Sequence, residues 1–476
     1  MARASLIATL SEPPSIGGAD LTALPDGVEW LEVRADVVGD IDPDWLRDHF
    51  KGKLLYSLRT SDEPNRLERL KTATRFYDRI ELDVTTSAEL LELISPEKRL
   101  VSWYGTAGDM AELSARFEQL ASVPASVYKL VTNASTIAEE FLPLQLLHSL
   151  NRPDTIAYTH GPLGFWNRIV ALHLGAPAIF GAVDRGSIAD MEPSIGKLIA
   201  DYGLPELTPV KELFAIIGNP IFHSLSPRLH NASYREMNLR ALFVPLRVES
   251  FAEFWREFVV SRRLDALGMP INGMTVASPH KEEAVLTAKM VSGMAKQTEA
   301  ANILVRNNGW WSADTTDPDV VYSASNDRSV QVKEKRAAVI GCGGAGRAIA
   351  AALVASGAGV TLINRGAERG EHAAALLGLP YIPLRDFDAE GYDIVVNATP
   401  VGRDTDEVPF ALEQLNDEAV VIDLVYGSRP TPLVDTTRAR QQIAIDGRDV
   451  LVTQVSRQFR LMTGKEMPIP QILKIL

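Results

Sequence analysis

The segment from Gly218 to Asn231, GNPIFHSLSPRLHN, brings hydroxyl, imidazole and backbone N–H groups together within fourteen residues. The pair Ser226-Pro227 is typical of an N-cap followed by the first helical residue. Because the first N–H groups of a helix have no partners within the helix, a carboxylate could bind beside the hydroxyls. We therefore expect Ser224 and Ser226 to be carboxylate ligands. An ordinary strand, turn and capped helix would show the same pattern.

A second polar set is built around Lys281. A small-residue strand that starts at Gly273 runs into a proline and Lys281, Asn302 precedes a further strand, and Asp317 follows a Trp310-Trp311 hairpin. A lysine, an asparagine and an aspartate gathered around a hydroxyl can hold it and transfer its proton. We predict that Lys281 and Asp317 are catalytic and that Asn302 binds substrate.

A glycine-rich turn joins an apolar strand, Ala337 to Ile340, to the helical pattern AIAAALVASG. Glycines let the backbone approach a pyrophosphate at the N-terminus of the following helix. Arg365 and Arg369 stand where an NAD-binding fold would place an acidic residue, which favours a 2'-phosphate and therefore NADP. The alternative is that both arginines only begin a solvated helix. The predicted cofactor-binding residues are Gly341, Gly343, Gly344, Ala345, Gly346, Asn364, Arg365, Arg369 and Thr399.

Bulk composition narrows the class of protein. A length of 476 residues favours two or three domains, and we expect three. Hydrophobic content of 46% and charged content of 23% are those of a soluble globular protein, and a net charge of -13 argues against nucleic-acid binding. The single cysteine, Cys342, excludes an intrachain disulfide and a cysteine-rich metal site. No apolar run reaches the length of a membrane span or of a signal-peptide core, so we expect a cytoplasmic protein.

The first part of the chain alternates short β-rich runs with helical patterns. Because alternating strands and helices form a parallel sheet, eight such runs in this length predict a (β/α)8 barrel. The predicted strands are Ser5 to Leu10, Trp30 to Val38, Leu54 to Arg59, Ile80 to Val84, Leu100 to Tyr104, Val127 to Thr132, Thr155 to His160 and Ala178 to Val183.

Charged residues alternate with apolar ones in the second of these runs. In Leu31 to Val37, a period of two puts Glu32, Arg34 and Asp36 on one face. Strands with helices packed outside have no solvated outer face, so we expect this face to line the barrel interior. A half-exposed edge strand would show the same alternation.

The same alternation puts Glu81, Asp83 and Lys129 inside the barrel. Loss of hydration lowers the pKa of a lysine and leaves more of the nucleophilic amine, so Lys129 could form a Schiff base with a ketone. The alternative is a strand lysine that extends to solvent from one end of the barrel.

The order of these charged residues resembles that of type I dehydroquinate dehydratases over residues 3 to 195. The resemblance implies that Lys129 forms an imine with 3-dehydroquinate. It also implies that Arg34 and Arg168 hold the substrate's carboxylate and hydroxyls, that Arg59 lines the same site and that Glu32 orients it. The residues that carry the resemblance are Glu32, Arg34, Asp36, Glu81, Asp83, Lys129 and Arg168.

This half departs from that family at three positions. Asp83 replaces a glutamate, Tyr104 replaces a histidine acid/base, and Ser187 to Met191 keeps the serine but not the glutamine of a Ser-Ala-Pro-Gly-Gln segment. The acid/base is expected to be either Tyr104 or His160. An unperturbed tyrosine is a poor base at neutral pH. His160 ends the seventh strand, at the catalytic end of the barrel. Ser187 remains a substrate-binding candidate. The alternative is a barrel without turnover that serves as a scaffold or binding module.

Residues 211 to 476 resemble shikimate dehydrogenases through the serine segment, the lysine, asparagine and aspartate set, and the glycine turn. The resemblance implies NADPH-dependent reduction of 3-dehydroshikimate to shikimate, in which Lys281 and Asp317 manage the proton of the ketone. The chain departs from the family at Ala277, where the family has a threonine. The implied substrate-binding residues are Ser224, Ser226, Thr275, Asn302, Tyr426 and Gln454.

Together the two halves predict an α/β chain of three domains. We place a (β/α)8 barrel at 1–205, a discontinuous shikimate-binding domain at 211–328 and 445–476, and a Rossmann NADP-binding domain at 329–444. This fusion resembles the bifunctional enzymes that catalyse two steps of the shikimate pathway. The alternatives are a dehydrogenase with an inactive barrel, and a quinate dehydrogenase, which would require changes around Ser224 and Ser226. We expect a monomer that binds small molecules, and neither nucleic acid nor membrane.

Overall fold

The structure is a computed structural model that describes residues 2–12, 21–59, 65–84, 86–161, 163–183, 192–327 and 330–476. The chain forms two compact units, one of Met1–Leu213 with Asn238–Pro270 and the other of Phe214–Met237 with Ile271–Leu476. No helix within the described ranges is long and apolar enough to cross a membrane.

The strands of the described ranges are numbered in chain order. They are β1 (Ala2–Arg3), β2 (Ser5–Leu10), β3 (Val28–Arg34), β4 (Lys53–Ser57), β5 (Arg79–Asp83), β6 (Arg99–Gly105), β7 (Val127–Asn133), β8 (Thr155–His160), β9 (Ala178–Ala182), β10 (Glu206–Leu207), β11 (Glu212–Gly218), β12 (Ala241–Arg247), β13 (Ile271–Val276), β14 (Met290–Val291), β15 (Ile303–Asn307), β16 (Trp310–Asp314), β17 (Arg336–Ile340), β18 (Gly359–Asn364), β19 (Tyr381–Pro383), β20 (Ile394–Asn397), β21 (Val420–Asp423) and β22 (Ala444–Ile445).

The α-helices are numbered in the same way. They are α1 (Ala35–Val38), α2 (Pro43–His49), α3 (Arg66–Ala73), α4 (Ala88–Leu93), α5 (Met110–Ala121), α6 (Leu142–Leu150), α7 (Phe165–His173), α8 (Ile195–Tyr202), α9 (Ser226–Glu236), α10 (Phe251–Phe254), α11 (Arg263–Ala266), α12 (Lys281–Thr287), α13 (Gly293–Thr298), α14 (Asp319–Asp327), α15 (Gly344–Ala355), α16 (Ala367–Leu377), α17 (Pro432–Ala439), α18 (Gly447–Thr463) and α19 (Ile469–Ile472). A π-helix spans Trp255–Val260, and short 3-10 helices span Leu21–Ala23, Pro96–Lys98, Glu139–Phe141, Leu384–Asp386, Leu412–Gln414 and Leu473–Ile475.

Many helices begin where the sequence supplies a polar cap. The side chain of each capping residue accepts a backbone N–H from the first turn, which satisfies a donor that has no partner within the helix. These residues are Asp42, Ser87, Asp109, Ser194, Ser250, Ser292, Thr431 and Asp446. Local sequence therefore defines where these eight helices begin.

The first unit contains the predicted barrel. Its eight strands form one sheet in the order β8-β7-β6-β5-β4-β3-β2-β9, and neighbouring strands are parallel. Because β2 pairs with β3 on one side and with β9 on the other, the sheet curls into a nearly closed barrel. The fold prediction for this half is confirmed.

The second barrel strand is shorter than predicted. β3 ends at Arg34, whose partner Ser57 is the last residue of β4, and α1 begins at Ala35. Asp36 therefore lies on a helix, and the prediction that it shares the strand face of Glu32 and Arg34 is wrong. The alternation of faces requires extended backbone, which stops where the strand pairing stops.

The barrel interior has an apolar layer beside a polar one. Interior positions include the apolar residues Ile7, Trp30, Leu55, Val127 and Phe180, all buried together. Two residues further along three of these strands come Glu32, Ser57 and Lys129, also buried. The apolar layer thus closes one end of the barrel, and the polar layer lies toward the carboxyl ends of the strands.

The second unit contains two sheets. In one, β13 pairs antiparallel with β15, β15 pairs antiparallel with β16, and β14 runs parallel to β16. The predicted hairpin is present, and its turn uses Asn308 and Gly309 at positive φ values of 50° and 83°. In the other sheet all strands are parallel in the order β19-β18-β17-β20-β21-β22. This is the strand order of a dinucleotide-binding Rossmann fold, and it confirms that prediction.

The glycine turn after β17 gives a test of this packing. A Cβ atom on Gly346 would lie 1.8 Å from the Gly341 carbonyl oxygen, whereas a Cβ atom on Gly343 would have nothing within 4 Å. We expect Gly346→Ala to destabilise the second unit by about 2 kcal/mol, because the backbone must shift, and Gly343→Ala to have little effect on stability. Thermal unfolding without cofactor, followed by circular dichroism, measures both. Equal melting temperatures for the two variants would contradict the packing described.

Two candidate active sites

Lys129 lies in the middle of β7 and is fully buried. Its Nζ atom has no hydrogen-bond partner among the described residues; Glu81 Oε1 lies 3.7 Å away and the centroid of the Phe180 ring 3.6 Å away. Burial lowers the pKa of Lys129 to about 8, and Arg59 adds to this effect while Glu81 and Glu32 oppose it. At neutral pH this amine is therefore neutral more often than that of an ordinary lysine.

Glu81 connects Lys129 to two further side chains. Its Oε2 atom accepts from Arg59 Nε at 3.3 Å, and its Oε1 atom accepts from the Tyr104 hydroxyl at 2.6 Å. Burial alone would raise the pKa of Glu81, but Lys129 and Arg59 outweigh it and hold that pKa well below its usual range. Sequence alternation placed Glu81 inside the barrel, yet only the structure reveals that it contacts all three groups.

Glu32 is a buried carboxylate that accepts three hydrogen bonds. It accepts from Thr9 Oγ1 and Ser57 Oγ, both at 2.8 Å, and from Arg59 Nη2 at 2.6 Å. Burial alone would raise the pKa of Glu32, but Arg59 and Lys129 lower it below its usual range. Glu32 on β3 and Glu81 on β5 together hold Arg59, which follows the intervening strand β4.

Arg168 is buried in the first turns of α7. Its Nη1 atom donates to the Phe180 carbonyl oxygen at 3.2 Å and to Glu192 Oε1 at 3.1 Å, and its guanidinium carbon lies 4.5 Å from the centroid of the Tyr158 ring. No sequence signal pointed to Glu192, because this contact joins residues that are distant in the chain.

Two further predicted barrel residues form ion pairs of their own. Arg34 donates from Nε and Nη2 to Asp36, at 2.9 and 2.7 Å. Asp83, predicted to face the interior, accepts from Arg66 at 2.8 Å. Ser187 lies outside the described residues.

Tyr104 and His160 differ in the proton state that their surroundings favour. Although 38% of Tyr104 is exposed, burial of its hydroxyl end and the charge of Glu81 raise its pKa well above the usual value. His160 ends β8, and partial burial and the charge of Arg168 lower its pKa. At neutral pH the tyrosine is therefore a proton donor and the histidine a proton acceptor.

In the second unit, Lys281 and Asp317 form a direct ion pair. Lys281 is the first residue of α12, and its Nζ atom donates to Asp317 Oδ2 at 2.7 Å. Asp317 Oδ1 also accepts from Asn302 Nδ2 at 3.0 Å and from Gln454 Nε2 at 2.8 Å. The aspartate is buried and the lysine partly exposed, so the ammonium group is the member of the pair that a substrate can reach.

Supporting residues around this pair were missed from the sequence. Thr316 accepts through Oγ1 from Asn302 Nδ2 at 3.0 Å and from Gln458 Nε2 at 3.1 Å. Gln458 Oε1 accepts from Thr275 Oγ1 at 2.9 Å, so the predicted substrate-binding hydroxyl of Thr275 is held within the protein. Gln458 follows Gln454 by one helical turn, and this spacing is the signal that could have identified it.

The two serines lie together at the start of α9. Ser226 is the first helical residue and Leu225 the N-cap, so the prediction that Ser226 is the cap is wrong. Instead the Ser224 hydroxyl accepts the Ser226 N–H at 3.2 Å. Burial raises the pKa of Tyr426, and the interaction of its hydroxyl with Ser224 opposes this effect. The hydroxyl groups of Ser224 and Tyr426 thus lie near the first turn of α9, where a carboxylate is expected.

The glycine turn fits a dinucleotide phosphate. The space over Gly343 is open, whereas Gly341 has a φ of 103° and lies close to the Ala398 carbonyl oxygen. On the other side, a Cβ atom on Gly344 would lie 3.2 Å from the Cβ atom of Lys281. The turn that would hold a cofactor therefore packs directly against the candidate catalytic lysine.

The remaining predicted cofactor residues border this turn. Asn364 Oδ1 accepts the Cys342 N–H at 3.2 Å, which braces the turn. Arg365 and Arg369 are exposed just beyond β18, and Thr399 follows β20, where its hydroxyl donates to Asn397 Oδ1 at 2.6 Å. Exposed cations beside the turn suit a 2'-phosphate.

Family models match most of the chain. The type I 3-dehydroquinase model matches residues 19–199, and the shikimate dehydrogenase substrate binding domain matches residues 216–304. The NAD binding domain of D-isomer specific 2-hydroxyacid dehydrogenases matches residues 288–428, which contain five of the six strands of the parallel sheet and its glycine turn.

Individual relatives agree with these matches. The bifunctional 3-dehydroquinate dehydratase/shikimate dehydrogenase of Arabidopsis thaliana, a chloroplastic protein, is 27% identical over 94% of this chain and 79% of its own. The shikimate dehydrogenase (NADP(+)) of Ignicoccus hospitalis is 34% identical over 53% of this chain and 93% of its own. The Thermus thermophilus shikimate 5-dehydrogenase, solved with NADP(H) and shikimate, is 27% identical with a TM-score of 0.50 over 56% of this chain and 98% of its own.

Along the chain, the dehydroquinase match falls on the barrel and the dehydrogenase matches follow it. The chain belongs to the shikimate dehydrogenase family and, through its type I 3-dehydroquinase barrel, to the bifunctional 3-dehydroquinate dehydratase/shikimate dehydrogenases.

Proposed function

We propose that this chain converts 3-dehydroquinate to shikimate in two reactions, a dehydration in the barrel and an NADPH-dependent reduction in the second unit. The observation that supports the first reaction best is the buried amine of Lys129, which has a lowered pKa and no hydrogen-bond partner among the described residues. The ion pair of Lys281 and Asp317 against the glycine turn supports the second. The domain boundaries given above, a monomeric state and a cytoplasmic location stay predictions.

In the barrel, the Lys129 amine adds to the ketone carbon and, after loss of water, forms a protonated imine. The imine withdraws electrons from the adjacent carbon, whose proton passes to a base, and the neighbouring hydroxyl then leaves as water after accepting a proton. Hydrolysis of the imine returns the amine and releases 3-dehydroshikimate. Arg34 and Arg168 would hold the substrate's carboxylate and hydroxyls, and Glu32 and Arg59 would keep the polar lining in place.

The proton transfers are assigned from the proton state of each candidate. The raised pKa of Tyr104 suits it to donate to the leaving hydroxyl, and the lowered pKa of His160 leaves it free to accept the carbon-bound proton. We propose that the two residues share the work that a single histidine performs in the family that this barrel resembles.

In the second unit, Lys281 would protonate the ketone oxygen of 3-dehydroshikimate while Asp317 keeps the ammonium group oriented. When bound, NADPH supplies the hydride to the carbonyl carbon. The glycine turn from Gly341 to Gly346 would hold the pyrophosphate, and Arg365 and Arg369 the 2'-phosphate. Ser224, Ser226 and Tyr426 would bind the carboxylate, with Asn302 and Gln454 on the ring hydroxyls.

Borohydride trapping tests the imine directly. Reduction in the presence of 3-dehydroquinate should fix one adduct on Lys129, detected by peptide mass spectrometry, and Lys129→Met should abolish it. Because only the neutral amine attacks, the initial trapping rate should rise with pH through an inflection near 8. The exposed lysine variant Lys51→Met is the control and should trap normally. An inflection near the usual lysine value of about 10.4 would contradict the burial argument.

The shared acid/base assignment makes a separate prediction. Tyr104→Phe and His160→Ala should each lower the turnover of dehydration by about 100-fold while trapping at Lys129 persists, because imine formation does not require the later proton transfers. Tyr56→Phe is the control, since the Tyr56 hydroxyl donates to Asp40 and plays no part in the site. If neither variant lowers dehydration, both assignments are wrong. Trapping without turnover in the parent protein would indicate an inactive barrel.

Loss of Lys281 should affect only the second reaction. Lys281→Met should lower kcat for reduction of 3-dehydroshikimate by about 100-fold or more, because the proton donor is removed, and should leave dehydration unchanged. Lys289→Met, which alters a lysine stacked on the Trp310 ring, is the matched control. Reduction assayed by NADPH consumption decides this, and an unchanged kcat in Lys281→Met would refute the role of Lys281.

A further inference from the structure

The cations that line the described barrel site are all engaged by carboxylates of the same chain. The pairs are Arg34 with Asp36 at 2.7 Å, Arg59 with Glu32 at 2.6 Å, Lys129 with Glu81 at 3.7 Å and Arg168 with Glu192 at 3.1 Å. A substrate that carries a carboxylate therefore meets no free cation among these four. A substrate carboxylate that pairs with one of these cations therefore competes with the internal carboxylate already paired with it.

Glu192 is the carboxylate that can leave most easily. Glu32 and Glu81 are each held by three side chains and are almost fully buried, and Asp36 accepts two hydrogen bonds from one guanidinium group. Among the described residues Glu192 forms one ion pair, with Arg168, and 18% of its side chain is exposed. Its departure breaks a single contact and moves a charge that is already partly hydrated.

Arg168 is positioned independently of Glu192. Its guanidinium group also donates to the Phe180 carbonyl oxygen and stacks on Tyr158, and only 3% of its side chain is exposed. The Phe180 ring in turn lies against the Lys129 ammonium group, at 3.6 Å. When Glu192 leaves, Arg168 therefore remains in place as a buried cation, and Phe180 contacts both it and the amine that would react.

We propose that Glu192 occupies the position of the substrate's carboxylate on Arg168 in the free barrel, and that an anionic substrate binds by displacing it. Glu192 is then a specificity-determining residue, because it lowers the affinity of the barrel for carboxylates without taking part in the chemistry. This inference rests on the proposed reaction of the barrel, in which a carboxylate ligand reacts at Lys129.

The variant Glu192→Gln tests the proposal in the full-length protein. Removing the competing charge should lower the 3-dehydroquinate concentration that gives half-maximal borohydride trapping at Lys129 by about tenfold, with the same maximal adduct. Glu118→Gln, which neutralises an exposed glutamate on α5, should leave it unchanged. The methyl ester of 3-dehydroquinate has no carboxylate charge, so Glu192→Gln should not lower the ester concentration that gives half-maximal trapping.

A purely structural ion pair predicts the opposite result. If Glu192 only holds Arg168 in position, Glu192→Gln should raise the half-maximal concentration and lower the melting temperature, and either an increase or no change overturns the proposal. If no variant forms an adduct with 3-dehydroquinate, the proposed imine reaction is wrong, whatever the role of Glu192. Calorimetric titration with quinate, which has a hydroxyl in place of the ketone, then decides for Glu192: tighter binding to Glu192→Gln supports displacement, and equal or weaker binding overturns it.

Discussion

The arrangement of the barrel depends on burying the amine of Lys129 without fully neutralising its charge. Removing an ammonium group from water is costly, and Glu81 compensates only in part, at 3.7 Å and without a hydrogen bond. The remaining polar contacts follow from this constraint, since Glu81 must stay ionised and is kept so by Arg59, and Arg59 in turn is held by Glu32. The result is a lysine that the fold tolerates and that still loses its proton more easily than a solvated one.

The two candidate catalytic lysines differ in how each carboxylate contacts them. Lys281 donates directly to Asp317 at 2.7 Å, and Asn302 and Gln454 fix the orientation of that aspartate. Such a pair suits a group that must carry a proton to a defined atom, whereas the looser contact of Lys129 suits a nucleophile. We propose that one chain uses lysine for two kinds of chemistry, and that the distance to the carboxylate and the exposure to water set the difference.

Much of the fold and part of the sites could be predicted from sequence because their signals are local. Strand alternation placed Glu32 and Lys129 inside the barrel, and the glycine turn located the start of α15. The alternation of charged and apolar residues placed Asp36 wrongly, because this pattern does not show where the pairing of the strands ends. The pair of Arg168 with Glu192 could not be anticipated, because it depends on tertiary packing between distant segments. The exact proton roles of Tyr104 and His160 likewise depend on burial and on neighbouring charges that sequence does not give.

The central claim, that one chain contains both activities in sequence, is tested most directly by supplying purified protein with 3-dehydroquinate and NADPH and following NADPH oxidation and shikimate formation. We expect both to occur without an added dehydratase. Lys129→Met should abolish them with 3-dehydroquinate but not with 3-dehydroshikimate. If the parent protein oxidises NADPH with 3-dehydroshikimate but not with 3-dehydroquinate, the chain does not contain both activities.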